Sequence, residues 1–338
     1  MRKIGLLRLS AIGDVVLVVP LVNVLLNAFP EAEITWITTQ STLDLIGPIK
    51  GLEWVVIKKP KSIRAFRRNR EALKDLHFDE LLVLQASSSA HLVSMQISAK
   101  RKIGFDRRRG KDFHRFFIDE SISYNDQHFV DAYLSFANKL GATDHEVSWG
   151  GAFSNRDLNW VDAEMPNGFP RVGIATTPSK KERRWSGENY RRVIEYLVRK
   201  KVTVCLFGGE GDDERSFNAE LASYFTGEIH DFTGKTRLPQ WSALISQFSL
   251  VVAPDTGSVH LARALGVPVV GLYAVANPSL TGPYLAQDYC VNKYHEAIEK
   301  YTSTSKARDY HDRVHHPDAM SLINANEVIG KIEQVLGL

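Results

Sequence analysis

Cysteine is scarce in this chain. There are two in 338 residues, Cys205 and Cys290, and no CxxC. That excludes a disulfide scaffold and a cysteine-built zinc site, and it suits two reduced thiols in apolar surroundings. An excess of one charge is lacking as well. Lys+Arg number 42 and Asp+Glu 39, a net +3, too little for a nucleic-acid binder that works through overall charge. Long apolar runs are missing. The longest uncharged stretch, Val15 to Pro30, is too short and too mixed to span a bilayer. Arg8, Ser10 and Asp14 interrupt the apolar run behind Met1-Arg2-Lys3, and the small-residue cleavage site of a signal peptide does not follow. The expectation is a cytoplasmic protein, free or attached peripherally at a membrane surface. No tandem repeat and no low-complexity segment occurs.

What is present reads as globular α/β. Hydrophobic residues make up 44% and charged residues 24%, near the globular average, and the length suits two domains of roughly 150 residues. Short apolar strands (Ile4–Leu7, Ile34–Thr38, Trp54–Ile57, Glu80–Leu84) alternate with helical patterns (Val15–Ala28, Glu71–His77). Such alternation predicts a parallel sheet with right-handed crossovers. Residues 150–170 are rich in Gly, Pro, Asn and Asp and read as a linker. Alternation then restarts: strands at Val172–Thr176, Val202–Phe207, Leu250–Ala253 and Pro268–Tyr273, with helices between them. Asn277–Pro317 reads as irregular. Two domains are expected, 1–155 and 170–318, with a cleft between them. The terminal helix 319–338 is expected to pack back on the first domain.

Ligands of open parallel sheets bind at the carboxyl ends of the strands, so loops after strands should carry the chemistry. Arg8-Leu-Ser-Ala-Ile-Gly-Asp14 follows the first strand with one glycine, where a dinucleotide fingerprint needs three. This disfavours a dehydrogenase. Asp14 there is either a helix cap or a general base. Thr176-Thr-Pro-Ser-Lys-Lys-Glu-Arg-Arg-Trp185 joins hydroxyls to a basic cluster, either an anion site or an exposed basic loop. Trp185 is expected to pack into its domain. Pro254-Asp-Thr-Gly-Ser-Val-His260 leads into a helix start. Thr256, Gly257 and His260 suit phosphate or ligand contact, and Asp255, being negative, suits sugar hydroxyls. Thr233-Gly-Lys-Thr236 lacks the upstream glycine of a phosphate loop. Phe207-Gly-Gly209 ends another strand with a turn that permits close backbone approach.

In that order, these segments resemble glycosyltransferase family 9, the ADP-heptose:lipopolysaccharide heptosyltransferases. The matching residues are Arg8–Asp14 with Pro20, Arg183-Arg-Trp185, Phe207-Gly-Gly209, Thr233–Thr236, Asp255-Thr-Gly257 with His260, Gly282-Pro-Tyr284, and Met320-Ser-Leu-Ile with Glu327-Val. The resemblance implies a GT-B fold, with two Rossmann-like doubly wound domains facing across a cleft. It implies inverting sugar transfer from an ADP-sugar, without metal or cofactor. Asp14 resembles the family's catalytic base. Arg183 stands where the family usually has Lys and would stabilise the leaving diphosphate. Thr176 and Thr177 resemble its diphosphate contacts, and Asp255, Thr256, Gly257 and His260 its nucleotide-sugar loop. A relative using another nucleotide sugar or acceptor, and a non-catalytic nucleotide-sugar or lipid binder, are the alternatives.

The charge is unevenly placed. Residues 1–150 hold 21 cations against 17 acids, and residues 151–338 hold 21 against 22. Two runs carry the excess, Lys58–Arg70 and Lys100–Lys111, each with seven cations. They are either solvated faces or a surface for the anionic lipid A and Kdo acceptor of the family at the inner membrane. On the second reading Arg67, Arg68, Arg107 and Arg108, with Arg8 and Ser10, contact the acceptor. Phe66 and Phe105 within the runs are not accompanied by any RNA-binding motif, so no nucleic-acid partner is expected. His311, His315 and His316 have no metal-site framing and read as a surface turn.

Overall fold

The computed structural model describes every residue except 61, 112, 144, 145, 150–156 and 303–311. It divides into two compact units, Met1–Ser154 and Asn155–Leu338.

The first unit holds β1 (Lys3–Leu7), α1 (Ile12–Ala28), β2 (Glu33–Thr38), α2 (Gln40–Ile46), β3 (Leu52–Val56), α3 (Ile63–Leu73), β4 (His77–Val83), α4 (Ser88–Ser94), β5 (Ser98–Gly104), β6 (Glu120–Ser121) and α5 (Phe129–Lys139). Its six strands are ordered β3-β2-β1-β4-β5-β6, and every pairing is parallel. That is the doubly wound Rossmann order. The helix α1 is buried along most of its length, from Val15 to Leu25, and packs on α5. A helix apolar all round needs such cover on several sides.

The second unit runs α6 (Leu158–Glu164), β7 (Arg171–Ile174), α7 (Gly187–Arg199), β8 (Thr203–Leu206), α8 (Asp212–Ser223), β9 (Ile229–Asp231), α9 (Leu238–Ser246), β10 (Leu250–Pro254), α10 (Gly257–Ala264), β11 (Val269–Tyr273), α11 (Pro278–Thr281), β12 (Val291–Asn292), α12 (Tyr294–Tyr301) and α13 (Ala325–Leu336). Read from the other edge, its order β9-β8-β7-β10-β11-β12 repeats that of the first unit, again all parallel.

Two expectations are corrected. The helix expected at 71–77 is α3, which starts earlier because Ser62 caps it, accepting the Ala65 N–H at 3.2 Å. The basic run is thus the exposed face of a helix. Asn277–Pro317 is not wholly irregular: α11 and α12 lie in it, and α12 buries Tyr294, Ala297 and Ile298. The terminal helix, α13, contributes to the second unit's core. Val328 and Ile332 of α13 are fully buried in the second unit's core with Val172, Leu250 and Leu272. Its apolar face is used there. Asn324 and Glu327 cap its start reciprocally, and Gly337, at φ 68°, closes its end in the left-handed conformation that glycine adopts without strain.

Ile332→Ala is therefore expected to destabilise the second unit by about 2–4 kcal/mol, read as an earlier unfolding transition in urea. A change below about 0.5 kcal/mol, the size of an ordinary surface substitution, would contradict this placement of α13.

Candidate active site

Strand order reverses beside the first strand of each sheet, between β1 and β4 and between β7 and β10. Loops leaving two such neighbours diverge and open a crevice at the carboxyl edge, where ligands of these sheets bind. Arg8–Asp14 leaves β1, Thr176–Trp185 leaves β7 and Asp255–His260 leaves β10, so three of the sequence motifs fall on the switch points.

In the first unit Asp14 lies in the first turn of α1. Its carboxylate accepts the Ala11 N–H at 3.3 Å and meets Arg8 Nη2 at 2.5 Å. One side chain thus both caps the helix and faces an ion-pair partner. Arg8 is buried, and its Nη1 donates to the Leu84 carbonyl at 2.6 Å and the Tyr133 hydroxyl at 2.7 Å. Burial works against the guanidinium charge, but Tyr133 and Asp14 outweigh it and hold its pKa above the ordinary value. Burial also pushes the Tyr133 phenol up. Gln85, directly after β4, accepts the Leu9 and Ser10 N–H groups at 2.9 and 3.2 Å and donates to Ser87 Oγ at 2.9 Å. Lys59 Nζ donates to Ser10 Oγ at 3.2 Å. Arg8, Ser10 and Asp14 are therefore one cluster. Gln85 and Tyr133, which sequence reasoning missed, hold it. A buried polar residue at the end of the strand beside β1 was a signal for Gln85. Tyr133, 125 positions from Arg8, left none.

The second basic run is mostly engaged within the unit. Lys100 pairs with Asp79 at 2.7 Å, and Arg101 spans Glu80 at 3.4 Å and Glu120 at 3.2 Å. Lys102 donates to the Ser94 carbonyl at 2.7 Å, and burial lowers its pKa. Arg109 is buried against Asp106 and donates to the Ser123 carbonyl at 2.8 Å. Arg107, Arg108 and Lys111 stay exposed in the loop after β5, Arg108 stacking over Tyr124 at 4.5 Å. Arg67 and Arg68 are exposed on α3. Phe105 is core, edge-on to Phe136 at 5.2 Å. Among the described residues of the first unit, Phe113 (78%) and Phe116 (67%) are exposed aromatics, their rings 6.3 Å apart.

In the second unit Arg183, from a short 3-10 turn (Lys181–Arg183), reaches Asp255 after the neighbouring strand. Its Nη1 lies 3.0 Å from both the Asp255 carboxylate and the Asp255 carbonyl. The two side chains are only 11% and 8% exposed. Thr256 stands at the N-cap of α10, yet its hydroxyl does not cap. Thr256 Oγ1 and Arg183 Nε are buried with no hydrogen-bond partner. Each such atom costs about 1–3 kcal/mol if left unsatisfied, so each calls for a partner such as water, an ion or a ligand. Gly257 opens α10 and His260 is buried one turn on. Thr177 is half-buried and Thr176 fully buried. The structure brings Arg183, Asp255, Thr256, Gly257 and the helix start together. Trp185 packs in the core, as expected, and donates to the Ile323 carbonyl at 3.0 Å.

Of the three histidines, His311 lies outside the described residues. His315 meets Glu182 at 3.1 Å, and His316 stacks on Tyr301 at 4.0 Å. Among the described residues no group of three or more His, Cys, Asp or Glu is disposed to hold a metal ion, and no helix is long and apolar enough to cross a membrane.

Comparison with known proteins gives a consistent result. The model of glycosyltransferase family 9 (heptosyltransferase) matches residues 66–311. The lipopolysaccharide core heptosyltransferase OpsX of Haemophilus influenzae is 29% identical over 339 residues, covering 100% of this chain and 97% of that one. Lipopolysaccharide heptosyltransferase 3 of Escherichia coli K12 is 22% identical, covering 96% and 95%. Among solved structures, a family 9 glycosyl transferase of Veillonella parvula superposes with a TM-score of 0.78 at 22% identity, covering 99% and 97%. E. coli heptosyltransferase WaaC, solved with ADP, gives 0.74 at 18%, covering 98% and 99%. The structural likenesses fix the fold as GT-B. Carried by the family model over most of its length, the chain belongs to glycosyltransferase family 9, the heptosyltransferases.

Proposed function

We propose that the chain moves a heptose from ADP-heptose to the Kdo- or heptose-bearing inner core of a lipopolysaccharide precursor, with inversion and without a metal. The observation that carries the reading is the Arg183–Asp255–Thr256 cluster at the β7/β10 switch point. A carboxylate beside a diphosphate is repulsive unless something offsets it. Arg183 does so, and on this reading the Asp255 carboxylate accepts sugar hydroxyls while the guanidinium and the α10 N–H groups meet the diphosphate. The named relatives, which include lipopolysaccharide core heptosyltransferases, support the donor and acceptor class.

The reaction follows from these groups. Asp14 takes the proton of the acceptor hydroxyl. That oxygen attacks the anomeric carbon from the face opposite ADP, and the bond from carbon to diphosphate oxygen breaks. Positive charge builds on the sugar and negative charge on the departing ADP. Arg183, Thr177, Thr256 and the helix amides stabilise the latter in place of a metal ion.

The acceptor is a lipid, and the loop after β5 suits a peripheral contact at the cytoplasmic face of an anionic membrane. Phe113 holds φ at 61°, a left-handed value that costs a bulky residue energy, while presenting its ring to solvent. Arg115 covers Phe116 at 4.7 Å. Arg107, Arg108 and Lys111 flank the pair.

An ADP-release assay with ADP-heptose and Kdo-lipid A, run against UDP- and GDP-sugars, tests the reading. Release is expected only with ADP-heptose and acceptor together. Equal use of another nucleotide, or release that ignores the acceptor, would contradict it. Arg183→Ala is expected to lower kcat by about 10²–10³-fold, the usual loss for one charge-stabilising donor. Arg183→Lys should recover part of that, because it restores charge without the fork. For the membrane contact, Phe113→Ser/Phe116→Ser should weaken co-sedimentation with phosphatidylglycerol vesicles, and Arg107→Glu/Arg108→Glu should weaken it by roughly fivefold per cation lost. Unchanged sedimentation would refute the docking loop.

A further inference from the structure

We infer that Asn218, in the middle of α8, is a positioning residue for the donor site and acts through Thr176. The inference rests on the reading of Thr176, Thr177 and Arg183 as the diphosphate site.

Asn218 is wholly buried. Asparagine is a poor choice for a helix interior and costly to bury unless its amide is satisfied. Here both ends of the amide are used. Nδ2 donates to Thr233 Oγ1 at 2.7 Å, in the loop after β9. Oδ1 accepts the hydroxyl proton of Thr176, in the loop after β7. Thr176 Oγ1 in turn lies 2.9 Å from Thr177 Oγ1. An amide oxygen only accepts, so the Thr176 proton is committed to it. Thr177 is then the donor within the pair, its hydroxyl proton directed at Thr176 Oγ1, and it meets a phosphate oxygen by exchanging that bond for one to the ligand. The two threonines thus have different tasks, one holding the loop and one meeting the ligand.

Neighbouring residues on the same helix extend this role. One turn before Asn218, the Glu214 side chain lies against Gly208 and Gly209 of the loop after β8. Burial, the largest influence on that carboxyl, raises its pKa. A Cβ at Gly208 would sit 2.1 Å from Glu214 Oε1, so any larger residue there would displace the Glu214 carboxylate. Gly234 N–H donates to the Gly208 carbonyl at 3.2 Å, tying the β8 and β9 loops together. Through Glu214 and Asn218, α8 fixes three adjacent loops at the carboxyl edge. Asn218 is the one that reaches the switch-point strand β7.

The test is a double-mutant cycle read by calorimetric titration of ADP into the full chain, with Tm recorded alongside. Asn218→Ala is expected to raise the ADP Kd about tenfold. Asn218→Ala combined with Thr176→Val should bind no more weakly than the worse single variant, because both remove one contact. If Asn218→Ala does not fold, Thr233→Val, which removes the far anchor and keeps the amide, should raise Kd severalfold. A Kd within twofold of wild type at lowered Tm, or losses that multiply in the double variant, overturns the inference and leaves the donor reading intact. If wild type binds no ADP, the donor reading itself falls.

Discussion

The ion pair between Arg8 and Asp14 is the constraint on which the first unit's site depends. A guanidinium removed from water needs acceptors, and it is costly without them. Arg8 finds three: the Leu84 carbonyl, the Tyr133 hydroxyl and the Asp14 carboxylate. These come from the end of β4, from α5 and from α1. Satisfying one buried charge therefore fixes three elements around the β1/β4 switch point, and the carboxylate is held where they meet. The second unit repeats the arrangement with Arg183 and Asp255 across β7 and β10. Each sheet thus places an arginine–aspartate pair at the edge where its strand order reverses. Only the pair in the donor unit is buried on both sides.

The repeat has a chemical consequence. In the first unit the carboxylate is the more exposed partner, 42% against 9% for Arg8, which suits a group that must reach a hydroxyl. In the second unit both partners are enclosed and unpartnered donor atoms lie beside them, which suits a site that replaces water around a diphosphate. On the proposed reading, the same pairing of residue types would serve proton transfer in one unit and charge neutralisation in the other, and the difference would lie in exposure.

Much of this was legible in the sequence. Alternating strands and helices gave two parallel sheets, and the loops after β1, β7 and β10 carried the residues later found at the switch points. What was not legible depended on partners distant in the chain. Whether a cation in the Lys100–Lys111 run is free depends on Asp79, Glu80 and Glu120, and local counting treats all seven alike. Tyr133 and Asn218 carry no motif, because a tyrosine in an apolar helix and an asparagine in a polar one are ordinary. Only the sheet order brings them beneath Arg8 and Thr176.

The central claim is that Asp14 is the base and Arg8 its support. Asp14→Asn at saturating ADP-heptose and Kdo-lipid A tests it most directly. Alanine would strip the buried guanidinium of a partner altogether, whereas asparagine keeps an oxygen for Arg8 and removes the charge and the basicity. The account predicts a fall in kcat of about 10²–10⁴-fold, the range for a general base, with ADP affinity close to wild type and a lowered Tm from the lost ion pair. Turnover near the wild-type rate, or ADP affinity falling in step with kcat, would contradict it.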